Sequence, residues 1–160
     1  MPYYRRRAYK RSRGSRDKYS VHQKAFSFTA AASPTSTAQL IVPSTATEGM
    51  RKVKHITINL TPLGPEGEST AIWWALVYVP QGTTAGSITL ASTAALSDMY
   101  EPNQFVMNCG IADPDAGPIR FSSPISRNLN NGDVIVLVIR HSLGSSIEIR
   151  GTCRYAITLQ

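Results

Sequence analysis

The chain has 160 residues, 17 lysines and arginines against 10 aspartates and glutamates, a formal net charge of +7 and 42% hydrophobic side chains. That length suits one domain, and the apolar fraction excludes a wholly disordered polypeptide. The longest unbroken apolar run, Ala71 to Val79, has nine residues, far short of the roughly 20 that a membrane-spanning helix needs.

Charge is unevenly placed. Residues 1–24 carry nine bases (Arg5, Arg6, Arg7, Lys10, Arg11, Arg13, Arg16, Lys18 and Lys24) and one acid, Asp17, whereas residues 25–160 hold eight bases and nine acids. The first segment also contains Tyr3, Tyr4, Tyr9 and Tyr19 but almost no aliphatic side chain. It cannot bury enough apolar area to offset the entropy of ordering it, so a disordered arm over 1–24 is expected. Its cations suit a phosphate backbone, where they displace counterions, and its rings suit unpaired bases, on which they stack. Those thirteen residues are the candidate nucleic-acid-binding set, and nothing in them reads a base sequence. The Lys10 to Arg13 cluster also suits a nuclear-localisation signal. The basic start is followed by no apolar stretch and no small-residue cleavage site, so a secretory signal is not expected and the protein is expected to stay inside a cell.

The rest, 25–160, reads as one β domain. Phe26 to Ala30 and Gln39 to Val42 are short candidate strands. Lys54 to Leu60 alternates, with Ile56, Ile58 and Leu60 on one face and His55, Thr57 and Asn59 on the other, and the phase fails near Val53, where a bulge fits. Ile72 to Val79 and Val134 to Ile139 are apolar throughout, the first ending at Pro80 and the second preceded by the turn Asn131, Gly132, Asp133. Gly86 to Leu90 and Gln104 to Cys109 add two candidates, and a short helix is expected over Thr93 to Met99 behind a Ser92 cap. Ile147 to Leu159 alternates strictly, with Ile147, Ile149, Cys153, Tyr155 and Ile157 on the apolar face and Glu148, Arg150, Thr152 and Arg154 on the polar one. Prolines 34, 43, 62, 65, 102, 114, 118 and 124 fall in the intervening loops. Roughly eight antiparallel strands joined by long irregular loops point to an all-β protein, a single jelly-roll β-sandwich of two sheets. Strands apolar on both faces need a cover, and a neighbouring subunit is the expected one.

No chemistry emerges from the remaining polar residues. Cys109 and Cys153 are expected to be buried thiols, too few for a disulfide framework or a four-thiolate metal site. His22 is assigned to the arm, His55 to a polar strand face and His141 to a solvated strand end or interface, and none has a partner at metal-ligand spacing. Asp113 and Asp115 stand in a Pro- and Gly-rich turn whose carboxylates serve ordinary turn bonds. Trp73 and Trp74 sit in a continuously apolar strand and are assigned to core or interface. No nucleophile elbow and no phosphate-binding loop is present, so no catalytic residue, metal or cofactor is assigned and an enzyme is not expected. The Asn59-Leu60-Thr61 sequon is followed by Pro62 and lies in an expected strand, which argues against its use.

A start of MPYYRRRAYKRSRGSR leading through a Ser-, Thr- and Ala-rich stretch into an all-β body resembles the capsid proteins of small circular single-stranded DNA viruses of the circovirus and nanovirus kind. The arm carries the more specific half of that resemblance. The chain is less arginine-dense than circovirus coats and is nearer in length to the compact nanovirus-like ones. The resemblance implies about sixty copies in a T=1 icosahedral shell, with arms holding single-stranded DNA, virion localisation, and passage through host nucleus and cytoplasm during assembly. The implied partners are further copies of the chain, the viral genome, host nuclear-import receptors and a host cell-surface receptor of unknown identity. A cellular RNA- or single-stranded-DNA-binding protein and the coat of a small satellite RNA virus are the alternatives. A ribosomal-type protein would continue its positive charge across the globular surface, and here it stops at Lys24.

Overall fold

The strictest alternation in the sequence becomes a strand of thirteen residues, Ile147–Leu159, and the other elements assemble around it. The structure, a computed structural model, describes residues 19–46, 49–63, 71–83, 105–113 and 117–159. Nine strands follow in chain order: β1 Ser20–Ala30, β2 Thr37–Val42, β3 Arg51–Leu63, β4 Ile72–Val79, β5 Phe105–Ala112, β6 Ile119–Ser123, β7 Arg127–Leu129, β8 Val134–His141 and β9 Ile147–Leu159. One sheet has the order β1-β9-β3-β6, with β7 also pairing β3; the other has the order β2-β8-β4-β5. Every pairing is antiparallel. Successive strands alternate between the sheets from β1 to β4, and the last strands insert between the first ones. That is the interleaving of a single jelly roll. No described residue is helical; the expected helix over Thr93 to Met99 and the expected strand Gly86 to Leu90 lie outside the described residues.

The two inner faces share one core. Ile56, Ile58 and Leu60 of β3 and Ile149 of β9 meet Ile72 and Leu76 of β4 and Ile135, Leu137 and Ile139 of β8, all at most 1% exposed. Trp74 of β4 and Phe121 of β6 stack across the sandwich with ring centroids 3.8 Å apart, a contact worth about 1 kcal/mol beyond the area it buries. Gly151 faces inward in β9 where a Cβ would stand 2.6 Å from the Asn59 carbonyl oxygen and 2.8 Å from the Phe26 ring. Only glycine lets Phe26 lie flat across the strand at that point.

The bulge falls in β3 two residues beyond the position expected from sequence. The β9 pairing passes from Lys54↔Ala156 to Thr57↔Arg154, so three steps on one strand face two on the other, and His55 takes φ 53°. Val53 and Ile56 thereby both point inward, each fully buried. At one end of the sandwich the expected turn before β8 is held by buried Asp133. Its carboxylate accepts from Tyr78 Oη (2.8 Å), the Gln81 amide (3.0 Å) and the Asn130 amide (2.7 Å). Gly132 has φ +83° there, a conformation that favours glycine.

Four expectations change. Cys153 is buried but Cys109 is exposed, because Cys109 sits on the outward side of β5, the edge strand of its sheet. His141 is fully buried: it continues the inward phase of β8, and the chain leaving β1 closes over it, with His141 Nε2 3.4 Å from the Ala30 carbonyl oxygen and the Ser33 amide donating to the Leu143 carbonyl. His22 belongs to β1, where its ring stacks on Tyr155 at 5.4 Å. Finally, the outward apolar face of β4 and β8 needs no second subunit, since Ala75, Val77, Val79, Val136 and Val138 form a second cluster at most 4% exposed within one chain.

Candidate nucleic-acid interface

Of the thirteen residues singled out in the sequence, eleven, from Tyr3 to Lys18, lie outside the described residues. Tyr19 and Lys24 are seen. β1 begins at Ser20, so the last five residues counted with the arm pair with β9, from Ser20↔Ile157 to Lys24↔Cys153. Lys24 is exposed at the sheet edge. The Cys153 thiol opposite has its pKa pushed up by burial, an effect that the charge of Lys24 opposes.

Tyr19 turns to the outward side of the five-stranded sheet. Its ring lies 3.6 Å beneath Lys54 Nζ, a cation–π contact worth about 0.5–1 kcal/mol at an exposed site. Lys54 is on β3, with β9 intervening between it and β1, so the Tyr19 side chain reaches across β9.

That outward face is mostly polar, with Val21, Ala25 and Ala156 as the apolar positions toward its β1 edge. Side chains alternate along each strand, and the register therefore places Gln23, Ala25 and Ser27 of β1, Glu148, Arg150, Thr152 and Arg154 of β9, Lys52, Lys54, Thr57, Asn59 and Thr61 of β3, and Arg120 and Ser122 of β6 on one surface. A groove of about 290 Å³ crosses it, lined by Gln23, Thr57, Asn59, Arg120, Thr152, Cys153 and Arg154. Asn59 Nδ2 donates to Thr152 Oγ1 at 3.3 Å across its floor. Glu148 is the one acid among the described residues of this face. It accepts from Arg150 Nε at 2.8 Å and from Ser27 Oγ at 3.0 Å, and these bonds, the Arg150 bond foremost, hold its pKa below the ordinary carboxylate value. The alternation of β9 places Arg150 and Arg154 outward but does not by itself collect them with Lys52, Lys54 and Arg120. The signal in the sequence is the alternation itself; what unites the strands is the sheet order.

Strand order and surface together define a single-jelly-roll protein whose first described residue, Tyr19, lies on the outward face of the five-stranded sheet. No protein-family model matches the sequence, and no curated protein matches it. Viral capsid proteins are among the solved structures the chain resembles. It is similar to the BFDV capsid protein in its decameric crystal structure, with a TM-score of 0.40 and 11% identity over 91% of this chain and 99% of that one. A chain of infectious bursal disease virus, Gx strain, has a TM-score of 0.40 and 8% identity over 89% of this chain and 32% of that chain, so the present protein spans about a third of it. A pilus protein from Bacillus endospore appendages has a TM-score of 0.30 and 14% identity over 91% of this chain and 93% of that one.

Proposed function

We propose that the protein is a viral capsid subunit that self-assembles into a small T=1 icosahedral shell of about sixty copies and packages a circular single-stranded DNA genome through its N-terminal arm. The observation that carries this reading is the division of charge: nine bases and one acid in residues 1–24, against eight bases and nine acids in the remaining 136, with the second segment folded as a jelly roll. Gathering such arms in one small volume is electrostatically unfavourable until polyanion arrives, so assembly and packaging are coupled. Sixty arms neutralise on the order of 480 phosphates by direct pairing. The arm's Lys10 to Arg13 cluster serves in addition as the import signal that takes newly made subunits to the host nucleus.

The full-length protein is tested by light scattering together with its absorbance ratio at 260 and 280 nm. Subunits of 17.5 kDa in sixtyfold assembly give particles of about 1 MDa, and a high ratio marks packaged nucleic acid. A monomer or dimer that stays small when oligonucleotide is added overturns the reading and favours a cellular single-strand-binding protein.

A further inference from the structure

The folded body holds a charge separation that its composition hides. Eight bases and nine acids in residues 25–160 suggest a neutral surface. Five of those bases, Lys52, Lys54, Arg120, Arg150 and Arg154, nevertheless share the outward face of the five-stranded sheet, where Glu148 is the one acid among the described residues. Arg51 and Arg140, by contrast, are buried.

We infer that this face is a second nucleic-acid-binding surface, continuous with the arm, that takes the phosphate backbone of a single strand along the groove between Arg120 and Arg154. The inference rests on the packaging role proposed above and deepens it. Three observations support it. Charge is complementary to a polyanion, and the cations are supplied by three adjacent strands, so they form a patch and not a line: Arg120 and Arg154 are two strand spacings and two residues of register apart, about 12 Å. The groove between them is lined by Gln23, Thr57, Asn59 and Thr152, short amide and hydroxyl side chains of the kind that bond phosphate and sugar oxygens. Lastly, the root of the arm lies on this same face, with Tyr19 under Lys54, so a strand gathered by the arm is delivered to the groove without crossing an edge. Tyr19 is the one tyrosine, phenylalanine or tryptophan among the described residues of this face, with the exposed His55 in the β3 bulge as the other ring, and so sparse a stacking surface makes the contact read backbone and not sequence.

The test uses the full-length protein and a 20-nucleotide oligothymidine, with affinity measured by fluorescence anisotropy over a salt series. Arg120→Gln with Arg154→Gln removes two cations, and the slope of log affinity against log salt is expected to become shallower by about 1.4, or 0.7 per charge. Arg120→Lys with Arg154→Lys retains the wild-type slope. Both side chains are exposed, so an unchanged melting temperature accompanies each pair. An arm variant with Arg5, Arg6 and Arg7 all changed to Gln is the reference. If it loses slope while the double Gln variant keeps the wild-type value, the face is not a binding surface and the arm acts alone. If the double Gln variant alters particle mass with its slope intact, the face contacts a neighbouring copy and the inference fails. If wild-type protein does not bind at all, the packaging role itself falls.

Discussion

The two sheets share one core yet treat their outer faces in opposite ways. On the four-stranded sheet the outward side chains Ala75, Val77 and Val79 of β4 and Val136 and Val138 of β8 are sealed to at most 4% exposure, with half-buried Trp73 and Val134 and buried Arg140 beside them. On the five-stranded sheet the outward side chains of β3, β6 and β9 are threonine, asparagine, lysine and arginine, and most stand in solvent. The inner faces give the protein its stability, and the outer faces differ: one is closed within the chain, and the other, in the binding role proposed above, is open to a polyanion. A single negative charge placed on each face should therefore have very different consequences. Val77→Asp buries a carboxylate among Ala75, Val79 and Val136 of the closed cluster and costs about 3–5 kcal/mol, a large part of a small domain's stability; circular dichroism of the variant should show a strongly lowered thermal transition or none. Thr152→Asp, on the open face between Asn59 and Ala25, should shift stability by less than about 0.5 kcal/mol while weakening oligonucleotide binding. A folded, wild-type-like Val77→Asp protein would show that the closed face is in truth open.

This contrast was half legible in the sequence. Strict alternation over Ile147 to Leu159 and over Lys54 to Leu60 identified the strands with one wet face, and the continuous runs at Ile72 and Val134 identified those with none. Even the bulge left a trace, because inward Val53 and inward Ile56 break a period of two. β6 is not legible, because Ile119, Phe121 and Ser123 alternate for only five residues between Pro118 and Pro124, a length that reads as loop. Burial at strand ends is hidden from the sequence for a different reason. Whether His141 is covered depends on where the chain goes after Ala30, 111 residues away in sequence, and no local pattern encodes that. The basic face was hidden by the same kind of distance: Lys54, Arg120 and Arg154 become neighbours only through the order β9-β3-β6, and their charge is cancelled in the composition by acids elsewhere in the chain.

A smaller effect separates the closed end of the sandwich from its open face. Burial, and then the hydrogen bond to Asp133, push the Tyr78 pKa up from 10.0 to about 12. Ionisation is thus harder in the folded state than in the unfolded one, and the stabilisation is fully present below pH 10 and is lost as pH rises through 12. Tyr78→Phe should cost about 1–2 kcal/mol near neutrality through the lost bond to a charged acceptor. It should also remove part of the fall in melting temperature between pH 10 and 12; buried Tyr155, whose pKa is likewise raised, supplies a remainder that the variant keeps. Equal pH dependence in both proteins would place Tyr78 outside the linkage.

The smallest change concerns the open face alone. Glu148 occupies Arg150 through a 2.8 Å bond with 64% and 43% of the two side chains exposed, and an ion pair in that setting adds little to stability. Its electrostatic effect on a polyanion is another matter, since it cancels one of the five cations the face presents. Glu148→Gln should leave the melting temperature where it was and steepen the salt dependence of oligothymidine binding by about 0.7, because Arg150 is released to pair with phosphate. The wild-type protein should acquire the same gain in acid, below the ordinary carboxylate range, because Arg150 and Ser27 hold the Glu148 carboxylate ionised until then. A variant with the wild-type slope would mean that Arg150 lies beyond the path of the strand, and the contact would contract to the groove between Arg120 and Arg154.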